Sequence, residues 1–130
     1  MSAPRESAVV HRLTPGRTAV ADMRHVVVDQ LRAWGLPEGA VEDVAMTTHE
    51  LLANALVHGT PPIDLRLVHT GSELIVEVHD GSTSRPRPRS AAMDEEHGRG
   101  LQVVEALATR WGTVVGQGRK TVWARHTIAT

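Results

Sequence analysis

The chain contains no cysteine, no phenylalanine and no tyrosine. Without thiols there can be neither disulfides nor thiolate metal sites, though this absence suits either side of a membrane and names no compartment. Three tryptophans are the whole aromatic complement. The core is therefore left to Val, Leu, Ala and Ile, and few platforms remain on which single-stranded nucleic acid could stack. An excess of either charge is also lacking: 14 Lys and Arg stand against 15 Asp and Glu, a formal net charge of -1. That balance gives no overall basic footprint for direct nucleic-acid binding. No apolar run approaches a membrane span, and the opening "MSAPRESAVVHRL" lacks the apolar stretch of a secretory signal. A cytoplasmic protein without a membrane partner is the expectation.

What the chain does have is a patterned 130 residues, the length of one domain spanning 1–130, with 41% hydrophobic and 22% charged content typical of a globular fold. "ESAVVHRL" reads as an opening strand. "TPGRTAVADMRHVVVDQLRAWGL" reads as a first helix that starts at Thr14 and Pro15 and stops at Gly35. Pro37 opens a second helix, in which Val44, Thr48, Leu51, Leu52 and Ala55 are spaced to face a core and Gly59 supplies the stop. "IDLRLVHT" and "ELIVEVHD" flank Gly71 and Ser72 as a hairpin. Residues 81–99 are rich in Gly, Ser, Pro and Arg and read as a long loop. "LQVVEALATRW" resumes helical spacing, and "GTVVGQGRKTVWARHTI" reads as two strands around Gly116 to Gly118. That order predicts an α+β fold, with helices gathered on one face of a mixed, mostly antiparallel sheet.

Three features could carry chemistry. Glu50, Asn54 and His58 recur every four residues and so form a polar stripe beside the apolar face of the second helix. A carboxylate and an amide on one helix face suit a hard cation such as Mg²⁺, which takes one or two protein oxygens and completes its shell with water and phosphate. A solvated helix face would present the same spacing. His58 has no H-E-x-x-H or Cys/His companions for zinc and reads as a partly buried residue at a helix C-terminus. Asp80 ends an apolar strand just before Gly81, where a carboxylate could accept from a base amine, although Asp-Gly is also a common turn pair. "HGRGL" puts Gly98 and Gly100 before a helix, a place where backbone N–H groups attract phosphate and where a flexible loop also ends.

In their order and context these features resemble the histidine-kinase-like ATPase family (GHKL, Bergerat fold), and within it the small bacterial branch of anti-sigma-factor serine/threonine kinases. "HELLANALVHG" and "HGRGL" carry the likeness most specifically, with "RAWGL" and "ALATRWG" in support. The resemblance implies a two-layer α/β sandwich that binds ATP with Mg²⁺, with Glu50 as catalytic base and Asn54 as the Mg²⁺ ligand. It implies further that Asp80 takes the adenine amine, that Gly98, Arg99, Gly100 and Leu101 form the phosphate-side glycine box at the end of an ATP lid, and that Thr121 lies near adenine. Two positions depart from the family pattern: Ser82 stands two residues after Asp80 where glycine is usual, and Lys120 precedes Thr121 where glycine is frequent. The implied activity is phosphorylation of an anti-sigma antagonist of STAS-like type by a protein that also holds a sigma factor. A non-catalytic ATP-binding switch or partner-binding module in transcription control is the alternative, and homodimerisation is left open. Arg24 on the first helix falls where the branch binds partners, and Arg85, Arg87 and Arg89 in the lid could reach phosphate.

Overall fold

A computed structural model describes residues 6–82 and 101–128. Five strands and three helices occur in it: β1 (Ser7–Arg12), α1 (Ala19–Ala33), α2 (Glu38–His58), β2 (Asp64–Thr70), β3 (Glu73–Asp80), α3 (residues 101–107), β4 (Arg110–Gly116) and β5 (Arg119–Thr127). The strands form one sheet in the order β1-β2-β3-β5-β4, and all four pairings among the described residues are antiparallel. α1 packs on α2, and α2 lies across β3 and β5. This is the two-layer α+β sandwich that the order of elements predicts.

The first helix begins later than its sequence suggests. Thr14, Pro15 and Gly16 precede it, Thr18 is its cap residue, and helix starts at Ala19. Ala19 is the first member of the buried series Ala19, Met23, Val27 and Leu31. Four-residue spacing puts that series on one face, so only from Ala19 onward does helix bury apolar surface. Gly35 ends the helix with φ of 78°, the left-handed conformation glycine tolerates best.

α2 buries Val41, Val44, Ala45, Thr48, Leu51, Leu52 and Ala55, the i, i+3, i+4, i+7 pattern of a core-facing helix. Leu51 and Leu52 are almost fully enclosed, and each contributes ~1.5–3 kcal/mol of hydrophobic free energy. They meet Leu65 and Leu67 of β2 and Leu74, Val76 and Val78 of β3, with Val104 of α3 closing the same core. β3 alternates strictly, and its inward residues are Leu74, Val76, Val78 and then Asp80. The fourth core-facing position of an otherwise aliphatic strand is a carboxylate.

Register is pinned at both ends of the sheet. The hairpin between β4 and β5 turns through Gln117 and Gly118, both with positive φ, the backbone that matches the twist of antiparallel strands. At the other edge Arg12 grips Asp64 of β2 through two bonds of 2.8 and 3.1 Å. The hydrogen bonds from Arg12 hold the Asp64 carboxyl below its ordinary value. Among the described residues no helix is long and apolar enough to cross a membrane.

Candidate functional site

The site is built where α2 ends against β3. α2 runs without a break from Glu38 and closes at Gly59, whose backbone N–H donates to Ala55 O at 2.7 Å. Gly59 has φ of -93°, an ordinary conformation for any residue, so its role as a helix stop does not depend on left-handed backbone. Space decides it. A Cβ at Gly59 would stand 2.6 Å from Ala55 O and 2.8 Å from both Cγ and Oδ2 of Asp80. The helix end is therefore seated directly on the Asp80 carboxylate, with no room for a methyl group between them.

The next residues complete this junction. Thr60 N–H points to Asp80 Oδ1 at 3.4 Å, and Ser82 N–H donates to the same oxygen at 2.7 Å. Gly81 N–H donates to Thr60 O at 2.6 Å, and a Cβ at Gly81 would press on Thr60 O and Pro61 O at 3.3 and 3.2 Å. Two glycines thus let the chain after α2 and the chain after β3 run against one another. The buried carboxylate is held by backbone donors, as a charged group in a core requires. Its second oxygen, Oδ2, faces Lys120 Nζ at 3.7 Å. The two side chains are 1% and 11% exposed, so the pair is sheltered from bulk solvent.

Glu50 and Asn54 are half-buried on α2, at the margin between its core face and solvent, while His58 is exposed. The partly buried histidine read from the sequence is thus corrected: the stripe emerges from the protein as the helix advances. From the Gly59 contact with Asp80, Asn54 is five residues back along the helix and Glu50 nine, about 7 and 13 Å at the usual rise. Among the described residues no group of three or more His, Asp or Glu side chains converges to cage a metal ion. A carboxylate and an amide oxygen one turn apart nonetheless fit Mg²⁺, which needs only one or two protein oxygens.

The other predicted site residues divide. Leu101 is half-buried in α3, whose Val104 is fully buried in the core. Gly98, Arg99 and Gly100, the lid and its Arg85, Arg87 and Arg89 lie outside the described residues. Arg24 is exposed on α1. Thr121 is not brought to Asp80. It pairs across the sheet with His79, and its hydroxyl lies 2.7 Å from His79 Nδ1. His79 Nε2 is in turn 2.9 Å from Glu77. These three line a depression of about 330 Å³ with Val114, Trp123 and Arg125 on the face away from the helices. The residue that faces Asp80 is Lys120, its register partner on β5. In the sequence Lys120 stands out only as a departure from the family pattern; the signal for its place is that positions 80 and 120 both lie near strand ends beside a turn.

With this geometry in place, comparison with known proteins identifies the class. The pattern of the histidine kinase-like ATPase domain matches residues 13–126, and the chain belongs to that family. Membership of an ATPase-domain family implies ATP binding. No curated protein sequence matches this chain. Among solved structures, the RsbU and RsbW domains of Rv1364c from Mycobacterium tuberculosis superpose with a TM-score of 0.73 at 18% identity, covering 95% of this chain and 33% of that one. This chain therefore spans about a third of that protein's length. The SiaB–SiaC complex from Pseudomonas aeruginosa superposes with a TM-score of 0.65 at 12% identity, covering 90% of this chain and 88% of the other. At such identities the likeness is one of fold.

Proposed function

We propose that this chain is an ATP-dependent protein serine/threonine kinase of the anti-sigma-factor type, acting on a STAS-like antagonist and holding a sigma factor. One observation carries the reading. The end of α2 is seated on the Asp80 carboxylate through Gly59, so the helix that bears Glu50 and Asn54 leads away from a buried acceptor suited to a base amine. The likeness in fold to a protein with an RsbW domain supports the same class.

In this reading Asp80 Oδ2 accepts from the adenine amine, while Oδ1 stays with the N–H groups of Ser82 and Thr60. Asn54 is the residue that would hold Mg²⁺, and the ion when bound would offset charge on the transferring phosphoryl group. Glu50 orients the partner's serine hydroxyl and takes its proton as the new phosphorus–oxygen bond forms and the bond to ADP breaks. The glycine box of Gly98, Arg99, Gly100 and Leu101 takes the phosphates.

The test is calorimetric titration of Mg-ATP into the wild-type protein and into Asn54→Ala. Micromolar binding that weakens at least about tenfold in the variant supports the site. A folded wild type that binds no ATP overturns it.

A further inference from the structure

β4 is an edge of the sheet, and among the described residues no strand pairs with its free side. The hairpin fixes which of its backbone groups are left over. Gln117 and Gly118 form a two-residue turn with positive φ at both positions, and the pair that closes such a turn, Gly116 with Arg119, exchanges two hydrogen bonds. Alternation along the ladder then turns the N–H and C=O groups of Gly112 and Val114 toward β5 and leaves those of Trp111, Thr113 and Val115 pointing away from it. A row of unpaired groups of this kind is a template for another strand. The usual guards are missing: β4 contains no lysine, proline or carboxylate, and its one charged residue is Arg110 at its start.

This edge complements itself. Thr113 is the middle residue of Arg110–Gly116, so a second copy of β4 laid antiparallel about Thr113 meets the first along its whole length. Thr113 then faces Thr113 of the second copy and Trp111 faces Val115, and every leftover N–H finds a carbonyl acceptor across the pair. The residues between them match in size. Val114 is 59% exposed and stands opposite Gly112 of the second copy, in the closer, non-hydrogen-bonded kind of pair. Gly112 brings no side chain of its own, and the indole of its register partner Trp123 lies over it: a Cβ there would be 2.9 Å from Cζ2 and 3.1 Å from Nε1 of Trp123. The exposed valine of each copy therefore lands beside the indole of the other, and apolar surface leaves water on both sides of the axis. Arg110 falls opposite Gly116, so the two charges do not confront each other across the seam. We infer that β4 is a homodimer interface, through which two copies of this chain join their five-stranded sheets into one continuous sheet. One strand pairing is smaller than the ~1,200–2,000 Å² of a standard interface, so the dimer is weak and grows with concentration.

The experiment is amide hydrogen exchange read by NMR on the full chain at about 50 µM and about 1 mM, with the oligomeric state at each concentration taken from sedimentation. Dimer is expected to accumulate at the higher concentration, and the amides of Trp111, Thr113 and Val115 should slow by about three- to tenfold there. Those of Gly112 and Val114, already bonded to β5, should change less. Two variants address the edge itself. Val114→Lys places at an exposed position the charge that guards natural edges, and Thr113→Pro removes the central N–H without touching the ladder to β5. Each should fold, as read by circular dichroism and thermal melting, and stay monomeric at about 1 mM. Val10→Lys, at a valine 60% exposed on the opposite edge strand, should dimerise as wild type does. A wild type that is monomeric at about 1 mM overturns the inference. So does a dimer that survives in both folded variants, or one whose added protection falls on amides other than those of Trp111, Thr113 and Val115. Neither result bears on the ATP site, because the seam requires no nucleotide.

Discussion

Substituting Gly59 by alanine tests the junction between α2 and Asp80 without touching a charged group. Three effects compete. Alanine lowers the conformational freedom of the unfolded chain and so stabilises by ~0.4–1 kcal/mol wherever the native backbone accepts it. At φ of -93° the backbone does accept it. Against this, the new methyl would stand 2.6 Å from Ala55 O and 2.8 Å from two atoms of Asp80, and overpacking of this kind costs ~1–3 kcal/mol. Neither neighbour gives way cheaply, because one is helix backbone and the other is a carboxylate tied to Ser82 N–H and paired with Lys120. The packing term wins. Gly59→Ala should lose about 1–2 kcal/mol, read as a lower urea midpoint at unchanged slope. For a chain of this size that is a melting temperature lower by about 3–10 °C. Gly39 provides the control. It is exposed in the first turn of the same helix with nothing within 4 Å of its Cβ position, so Gly39→Ala should stabilise by ~0.5–1 kcal/mol. Opposite signs for the same substitution in one helix are the signature. If Gly59→Ala is neutral or stabilising, the seat on Asp80 is looser than described and the reasoning fails.

Two further outcomes follow from other parts of the molecule. Glu50→Gln should lower phosphoryl transfer to a serine-bearing partner by about 10²–10⁴-fold while nucleotide binding is retained; turnover equal to wild type in a radiolabel transfer assay would remove Glu50 from the role of base. His126 is buried on the inner face of β5, and burial, opposed by Asp43, holds its imidazole below the ordinary value. Below about pH 6.5 the unfolded chain takes up a proton there that the folded chain resists, so stability is full above that pH and falls as the solution is acidified toward the folded-state value. Urea midpoints at pH 7.5 and 5.5 should fall further for wild type than for His126→Leu, and equal losses would refute the assignment.

Much of this was legible in the sequence because it rests on local periodicity. The α2 stripe of Val44, Thr48, Leu51, Leu52 and Ala55, the hairpin around Gly71 and Ser72, and the inward series of β3 that ends in Asp80 are all written in spacings of 3.6 and 2. The same spacing put Glu50 and Asn54 on one helix face. The start of α1 was not legible in this way: Thr14 and Pro15 have the chemistry of a helix start, but the apolar stripe with a core to face begins only at Ala19.

Sequence by itself thus determined which elements form and which carboxylate closes β3, since each depends on neighbours a few residues apart. Tertiary structure alone decided what stands opposite that carboxylate. β5 mixes Lys, Thr, Trp, Arg and His on its two faces, so its alternation does not announce which side is inward. Strand parity is unforgiving, because a shift of one residue moves every side chain to the other face. Pairing of Asp80 with Lys120 therefore brought the lysine to the helix side and sent Thr121 to His79 on the far side. Gly59 shows the same division. Its position at the end of a helix could be read from composition, but its reason, a carboxylate too close to admit a methyl group, exists only once α2 has packed onto β3.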